Sequence, residues 1–186
     1  MKKTIKLFSC SILLVAMLFL VSACGGGSSS SDSSSNSAKS DWTVDVEGIG
    51  KVKGAISSDV GIAVIGVSEA DSLGNQFVQK KPQGKFLIVE IAVTNNQKDA
   101  ITVDANSFKL IDDKDREFTH STEGQTAIQM SNRDAKGFLE KVNPGMTVKE
   151  TIPFDVPKDA TNFKLEAKGG MTGEKVMLPL QVQKAE

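Results

Sequence analysis

Apolar and polar residues alternate along several segments of the chain, which is typical of β-strands with one face in a core. The clearest case is residues 147–156. Alternate positions of this segment share one face, which is apolar except for one glutamate: Val148, Glu150, Ile152, Phe154 and Val156. Residues 163–168 and 176–182 show the same alternation. Two shorter strands, residues 107–111 and 116–119, are predicted around an acidic turn.

Two other segments are apolar on both faces. Phe86–Thr94 carries apolar side chains at nearly every position, which predicts a central strand covered on both sides. Val60–Val67 is similar, but Gly61 and Gly66 interrupt it. Glycine inside a strand indicates a β-bulge or the close approach of another group.

Turn-forming residues fall where these strands should end. They are Asn95-Asn96, Asp112–Asp115, Asn143–Gly145, Pro157–Asp159 and Gly169-Gly170. About seven or eight strands at this spacing predict an all-β fold, an immunoglobulin-like β-sandwich. Pro153 and Pro179 lack an amide donor, so their strands should lie at sheet edges or carry bulges. One helix is predicted, at Thr126–Val142.

The N-terminus has a different pattern, typical of a signal peptide. Lys2, Lys3 and Lys6 precede an apolar stretch, Leu7–Val21, that is short for a membrane-spanning helix. We therefore predict a signal peptide at residues 1–23, with an uncleaved anchor as the alternative.

The end of this leader predicts lipidation of Cys24. Val21-Ser22-Ala23-Cys24 resembles the lipobox of bacterial lipoproteins, whereas Cys10 has too little apolar sequence before it. A diacylglyceryl cysteine carries the two acyl chains that stable anchoring requires. Cleavage that leaves a free thiol is the alternative.

Residues 24–41 are predicted to be a tether between the lipid and a domain at residues 42–186. Glycine and serine dominate it, and such a composition does not bury enough apolar surface to fold. A flexible chain of this length spans roughly 20–25 Å. The predicted location is the extracytoplasmic face of the cell membrane.

Composition excludes several classes of function. Without the leader the chain has 19 basic and 23 acidic residues, a balance that argues against nucleic acid and against binding to anionic lipid by charge. The predicted domain contains no cysteine and no tyrosine, and its single histidine is His120. We therefore expect no enzyme activity, no cofactor and no disulfide.

The order of several short runs resembles a known family. These are the run from Phe86 to Asn95, then Phe108–Asp112 with Phe118 behind it, then Pro144-Gly145, and finally Phe154–Pro157. Together, over about residues 50–168, they resemble the telokin-like immunoglobulin-fold domain of bacterial lipoproteins, also called an immunoprotective extracellular domain. The resemblance implies an immunoglobulin-like sandwich, extracytoplasmic display and no transferable catalytic residues.

Three polar or aromatic groups are candidate sites. The turn Asp112–Glu117 offers hard oxygen ligands for calcium, although its spacing is not that of an EF-hand. A solvated hairpin turn is the favoured explanation, because Asp favours turns on backbone grounds alone. His120 with Met130 or Met146 has the soft donors that copper(I) prefers, against the alternative of a surface histidine.

The third group is aromatic: Trp42, Phe77 and Phe138 fall in or near irregular segments. They either contact a partner or pack beneath loops. Our leading hypothesis is a non-catalytic binding module that recognises an envelope protein or cell-wall component through its loops. The alternative is a lipoprotein that binds a small ligand, calcium or copper.

Overall fold

The computed structural model describes residues 42–132, 139–170 and 173–180. The predictions for the leader, Cys24 and the tether therefore lie outside the described residues. Within those ranges the strands, in chain order, are β1 Trp42–Val46, β2 Gly50–Ser57, β3 Val60–Ala70, β4 Leu73–Gly74, β5 Gln79–Lys80, β6 Lys85–Asn95, β7 Ile101–Asp104, β8 Phe108–Ile111, β9 Glu117–Thr119, β10 Leu139–Val142, β11 Thr147–Val156, β12 Lys164–Lys168 and β13 Lys175–Pro179. Helix α1 is Thr122–Ser131, and a 3₁₀ turn covers Ala105–Ser107.

The larger sheet is antiparallel, in the order β1-β2-β3-β6-β11. Strand β6 is an interior strand of this sheet. It lies between β3 and β11, so that Val89 is opposite Val67 on one side and Ile152 on the other. β6 is buried along most of its length because its alternate side chains are covered on both faces. The prediction of a central, doubly covered strand at Phe86–Thr94 is confirmed.

A second sheet, in the order β13-β12-β8-β9, packs against the first. Side chains from both sheets form one core, including Leu87, Ile91 and Phe154 from the first and Leu110 and Leu165 from the second, all fully buried. Two short pairs, β10 with β7 and β4 with β5, complete the described strands. The predicted all-β sandwich is confirmed.

The glycine and proline positions behave as their backbone chemistry requires. The register between β3 and β6 shifts between Val64 and Gly66, which confirms the predicted bulge. β11 and β13, which contain Pro153 and Pro179, each end the order of their sheets among the described residues. A proline at a sheet edge removes no ladder hydrogen bond.

Gly61 has a different role, because the indole of Trp42 lies on it. A Cβ at this position would overlap the Trp42 ring, so only glycine leaves room for that ring. Val44 and Val46 continue the contact over Ala63 and form a small second core. Trp42 therefore packs at the outer face of the sheet.

The helix prediction at Thr126–Val142 was wrong in both bounds. The helix starts at Thr122, where the Ser121 hydroxyl accepts a hydrogen bond from the Gly124 amide at 3.1 Å, and it ends at Ser131. Leu139–Val142 instead pairs with β7, because this pairing places Val142 in the core with 1% exposure. In the part of the chain described, no helix has the length and apolar character to span a membrane.

Candidate functional site

The acidic turn after β8 is built around Asp112. Its Oδ1 accepts hydrogen bonds from the amides of Lys114 at 3.0 Å and Arg116 at 2.9 Å. Its Oδ2 accepts from Arg116 Nε at 2.7 Å and lies 2.7 Å from Nη2 of the same guanidinium. Both carboxylate oxygens of Asp112 are thus occupied by groups of its own turn.

The neighbouring carboxylates bind separate partners. Glu117 lies 2.9 Å from Lys109 Nζ, Asp159 lies 2.7 Å from Lys114 Nζ, and Asp113 accepts from Thr161 and Asn162. Within residues 42–132, 139–170 and 173–180 no three acidic or histidine side chains converge as metal ligands would. The structure therefore does not bring the proposed calcium ligands of Asp112–Glu117 together.

The pKa values follow these contacts. Burial alone would raise the pKa of Asp112, but hydrogen bonds from the Arg116 amide and guanidinium and from the Lys114 amide outweigh it and lower the pKa below its usual value. Hydrogen bonds from Lys109 and Lys114 lower the pKa of Glu117 and of Asp159. Each carboxylate is held charged by a basic partner, as in structural ion pairs.

The proposed copper ligands lie apart. His120 pairs with Phe154 near the end of β11, whereas Met146 immediately precedes the first residue of that strand. Met146 and Phe154 are eight residues apart in extended chain, which corresponds to a distance of about 25 Å along the strand. Met130 lies near the end of α1, and the helix rises about 13 Å between Ser121 and this residue.

Two adjoining cavities, of about 490 and 250 Å³, lie where β2 and β3 approach β13. Both are lined by Lys53, Val64 and Pro179, and Lys53 is the only charged residue in their described walls. A ligand site normally adds a few convergent polar groups to an apolar wall. These walls offer one amine, with no acid–base pair or set of ligands.

The three candidate aromatic residues have different environments. Trp42 packs on Gly61, and Phe138 lies outside the described residues. Phe77 is 83% exposed, more than any other large apolar residue in the described part of the chain. A phenylalanine that is this exposed contributes little free energy of burial to the fold. The loop that carries it is therefore the strongest candidate for an interaction.

The loop between β4 and β5 holds Phe77 in place through Asn75. The side-chain oxygen Oδ1 of Asn75 accepts hydrogen bonds from the backbone amides of Phe77 at 2.9 Å and Val78 at 3.0 Å. The backbone amide of Asn75 donates to the Val78 carbonyl at 2.8 Å. Gly74 has a φ of 113°, a conformation that favours glycine. The loop is therefore defined by its own hydrogen bonds while Phe77 points outward.

The same loop contacts helix α1. The Asn75 Nδ2 donates to the Met130 carbonyl at 3.4 Å, and Lys80 lies 3.6 Å from Glu123. The Met130 side chain is 58% exposed. We call residues 75–78 together with Met130 the tip surface.

No charged side chain occurs in either segment that forms the tip surface. Ser72–Gln79 and Gly124–Asn132 contain only uncharged residues, although 24% of the whole chain is charged. From the sequence, Phe77 is predicted only as one of three candidate aromatic residues, and Met130 only as a copper ligand. The signal that could have singled them out is this local absence of charge around Asn75 and Phe77.

Comparison with known proteins identifies a family but no activity. A family model described as a domain of unknown function, DUF4352, matches residues 49–177. No curated protein matches the sequence significantly.

Solved structures of similar fold include two from Bacillus. A conserved hypothetical protein from Bacillus anthracis aligns with a TM-score of 0.50 and 14% identity, over 64% of this chain and 89% of that one. The candidate lipoprotein ycdA from Bacillus subtilis aligns with a TM-score of 0.50 and 21% identity, over 67% of this chain and 37% of that one. At these identities the similarity shows the fold alone.

Proposed function

The chain belongs to the DUF4352 family of domains of unknown function, and from that premise we propose that it is a lipid-anchored, non-catalytic binding module on the extracytoplasmic face of the cell membrane. The fold itself assigns no activity, because one sandwich scaffold carries many functions. Individual residues of this chain carry the evidence for a binding role.

The observation that carries the binding role is the exposure of Phe77 on a loop with defined hydrogen bonds. Aromatic side chains dominate the energetics of protein interfaces when they enter a pocket of the partner. The Asn75 hydrogen bonds order the loop before any partner arrives, which reduces the entropy lost on binding.

The anchor is supported by the residues before the domain. Val21-Ser22-Ala23-Cys24 supplies the acylation pattern, and the glycine and serine residues that follow separate Cys24 from Trp42. The similarity in fold to ycdA, a candidate lipoprotein, is consistent with such an anchor. The telokin-like resemblance adds the same expectation of display outside the membrane.

The non-catalytic assignment is supported by the titratable groups. The carboxylates with lowered pKa values, Asp112, Glu117 and Asp159, each lie against Arg116, Lys109 or Lys114. An acid–base catalyst needs a group whose pKa lies near the working pH, and these pairs shift the carboxylates away from it.

Lipid labelling tests the anchor. The full chain, expressed in a single-membrane bacterium with a labelled fatty acid, should carry the label and the mass of a protein that begins at an acylated Cys24. Cys24→Ala should lose the label, and the matched control Cys10→Ala should keep it. A label that survives Cys24→Ala, or an unlabelled wild-type protein, would show that the anchor is assigned wrongly.

Photo-crosslinking in intact cells tests the binding role. A photoreactive amino acid is placed singly at exposed loop positions around the domain, and adducts are separated by mass. At least one position should yield a discrete protein adduct. If no position does so, the protein is not a binding module.

A further inference from the structure

We propose that the tip surface is where the partner binds, and that the partner is a different protein whose uncharged, apolar pocket receives the side chain of Phe77. This inference rests on the binding role proposed above and specifies its location and chemistry.

The tip surface has the composition of the centre of a protein interface. Phe77 and Met130 are both exposed, and they lie on two uncharged segments that the hydrogen bond from Asn75 to the Met130 carbonyl joins. Depletion of charge with enrichment of aromatic residues and methionine is the signature of the buried centre of a protein interface. The flanking pair Lys80–Glu123 is of the kind found at an interface rim.

The tip surface does not fit a phosphate-rich partner. Anionic lipid headgroups and nucleic acids require a concentration of positive charge. Among the described residues, the basic side chains closest in sequence to residues 75–78 are Lys80, which is paired with Glu123, and the exposed Lys81. These two lysines are too few to form the concentrated positive face that a phosphate-rich surface requires.

The described part of the domain begins at the opposite end of β3 from the tip surface. Trp42, the first described residue, lies on Gly61 near the start of β3, whereas the tip surface follows the end of that strand at Ala70. Nine residues of extended chain place these two points about 30 Å apart. The proposed tether therefore enters at the opposite end of β3 from Phe77.

The tether is also a poor occupant for the tip surface. Residues 25–40 consist almost entirely of glycine and serine and contain no large apolar side chain that could cover Phe77. The tether therefore supplies no large apolar residue for the tip surface. An uncharged, apolar tip surface fits an apolar pocket of another protein.

The test uses photo-crosslinking from two positions in the full anchored chain. Gln76 is next to Phe77, and Lys98 is exposed in the turn after β6, at the opposite end of that strand. The probe at position 76 should give an adduct with one other protein, and the probe at position 98 should give none. Phe77→Ser should lower the yield at position 76 at least tenfold, and Phe77→Trp should retain it.

A matched control removes an exposed apolar side chain elsewhere. Ile49 is 51% exposed in the turn between β1 and β2, and Ile49→Ser should leave the yield at position 76 unchanged. With the partner identified from the adduct and purified, Phe77→Ser should raise the Kd by at least about 30-fold, as for a residue that dominates an interface.

Each other outcome overturns the inference. A lipid adduct at position 76 would assign the tip surface to the bilayer, and an adduct with a second copy of the chain would make it a dimer interface. A protein adduct only at position 98, or one at position 76 that is insensitive to Phe77→Ser, would place the binding surface elsewhere and leave the proposed function standing. Absence of protein adducts at every exposed position would contradict both proposals.

Discussion

Two turns of this domain share a hydrogen-bonding scheme and differ in what they present to solvent. In the first turn, Asp112 Oδ1 accepts hydrogen bonds from the backbone amides of Lys114 and Arg116. In the second, Asn75 Oδ1 accepts hydrogen bonds from the backbone amides of Phe77 and Val78. Asp112 is 5% exposed and its charge is matched by Arg116, whereas the loop around Asn75 has no charge and leaves Phe77 83% exposed.

The difference shows that density of functional groups is a poor guide to a site. The acidic turn has the chemistry that a sequence search favours, yet folding uses its oxygens to hold its own backbone and basic side chains. The loop at Asn75 has almost no reactive chemistry, and its hydrogen bonds leave a large apolar side chain without a partner among the described residues. The polar groups of the acidic turn therefore stabilise the fold, whereas the loop at Asn75 leaves Phe77 exposed for binding.

The sharpest test of this contrast compares the aromatic residue beside each turn. Phe118 packs edge-on against Phe163 at 6.3 Å, with the Arg116 guanidinium 5.8 Å from its ring centre. We expect Phe118→Ala to reduce the free energy of unfolding by about 2–4 kcal/mol. Phe77→Ala should change it by no more than about 0.5 kcal/mol. Urea denaturation of both variants measures this, and equal losses would contradict the contrast.

A second prediction concerns the charge of Asp112. A carboxyl whose pKa is lowered in the folded state stabilises the protein above its unfolded value of 3.8, and this contribution is lost as the pH falls through the folded pKa. We expect Asp112→Asn to lower the melting temperature at pH 7 and to flatten the decline in stability below about pH 4. Asp112→Ala, which also removes the acceptor for two amides, should lower it further.

The control for this prediction is the uncharged turn. Asn75→Ala should leave the pH dependence as it is in the wild type, because no titratable group contacts Asn75 in the described structure. If Asp112→Asn has the same acid profile as the wild type, the ion pair with Arg116 does not contribute to stability.

The smallest predicted effect is on the loop itself. Asn75→Ala removes the acceptor for two amides and should cost about 1 kcal/mol in unfolding free energy. Asn75→Asp keeps an acceptor oxygen and should cost less. Hydrogen exchange at the amides of Phe77 and Val78 should be faster in Asn75→Ala than in the wild type. Unchanged exchange would show that Asn75 does not order the loop.

Much of the sandwich was predictable because its strands have local signals. The alternation at Thr147–Val156 gave the bounds of β11, and the glycine at position 66 indicated the bulge in β3. The helix was misplaced because the pairing of Leu139–Val142 with β7 joins segments far apart in sequence. Non-local pairing leaves little trace in a local pattern of hydrophobicity.

The tip surface was predictable only in part, for the same reason. Phe77 stood out as an aromatic residue in an irregular segment, but nothing local indicated that it would be exposed and Trp42 covered. That difference depends on Gly61, which lies 19 residues from Trp42 and provides the space for its ring. The approach of Met130 to Asn75 likewise joins positions 55 residues apart.

The position of Trp42 on Gly61 also determines how the domain responds to mechanical tension. Force applied through the N-terminal chain enters at β1, which pairs with β2 alone among the described strands, through five residue pairs that start at Trp42 and Gly54. A force perpendicular to β1 breaks these pairs one at a time, whereas a force along the strand loads them together. The single tryptophan is the first side chain in its path, so its fluorescence would report the start of peeling while the rest of the sandwich remained intact.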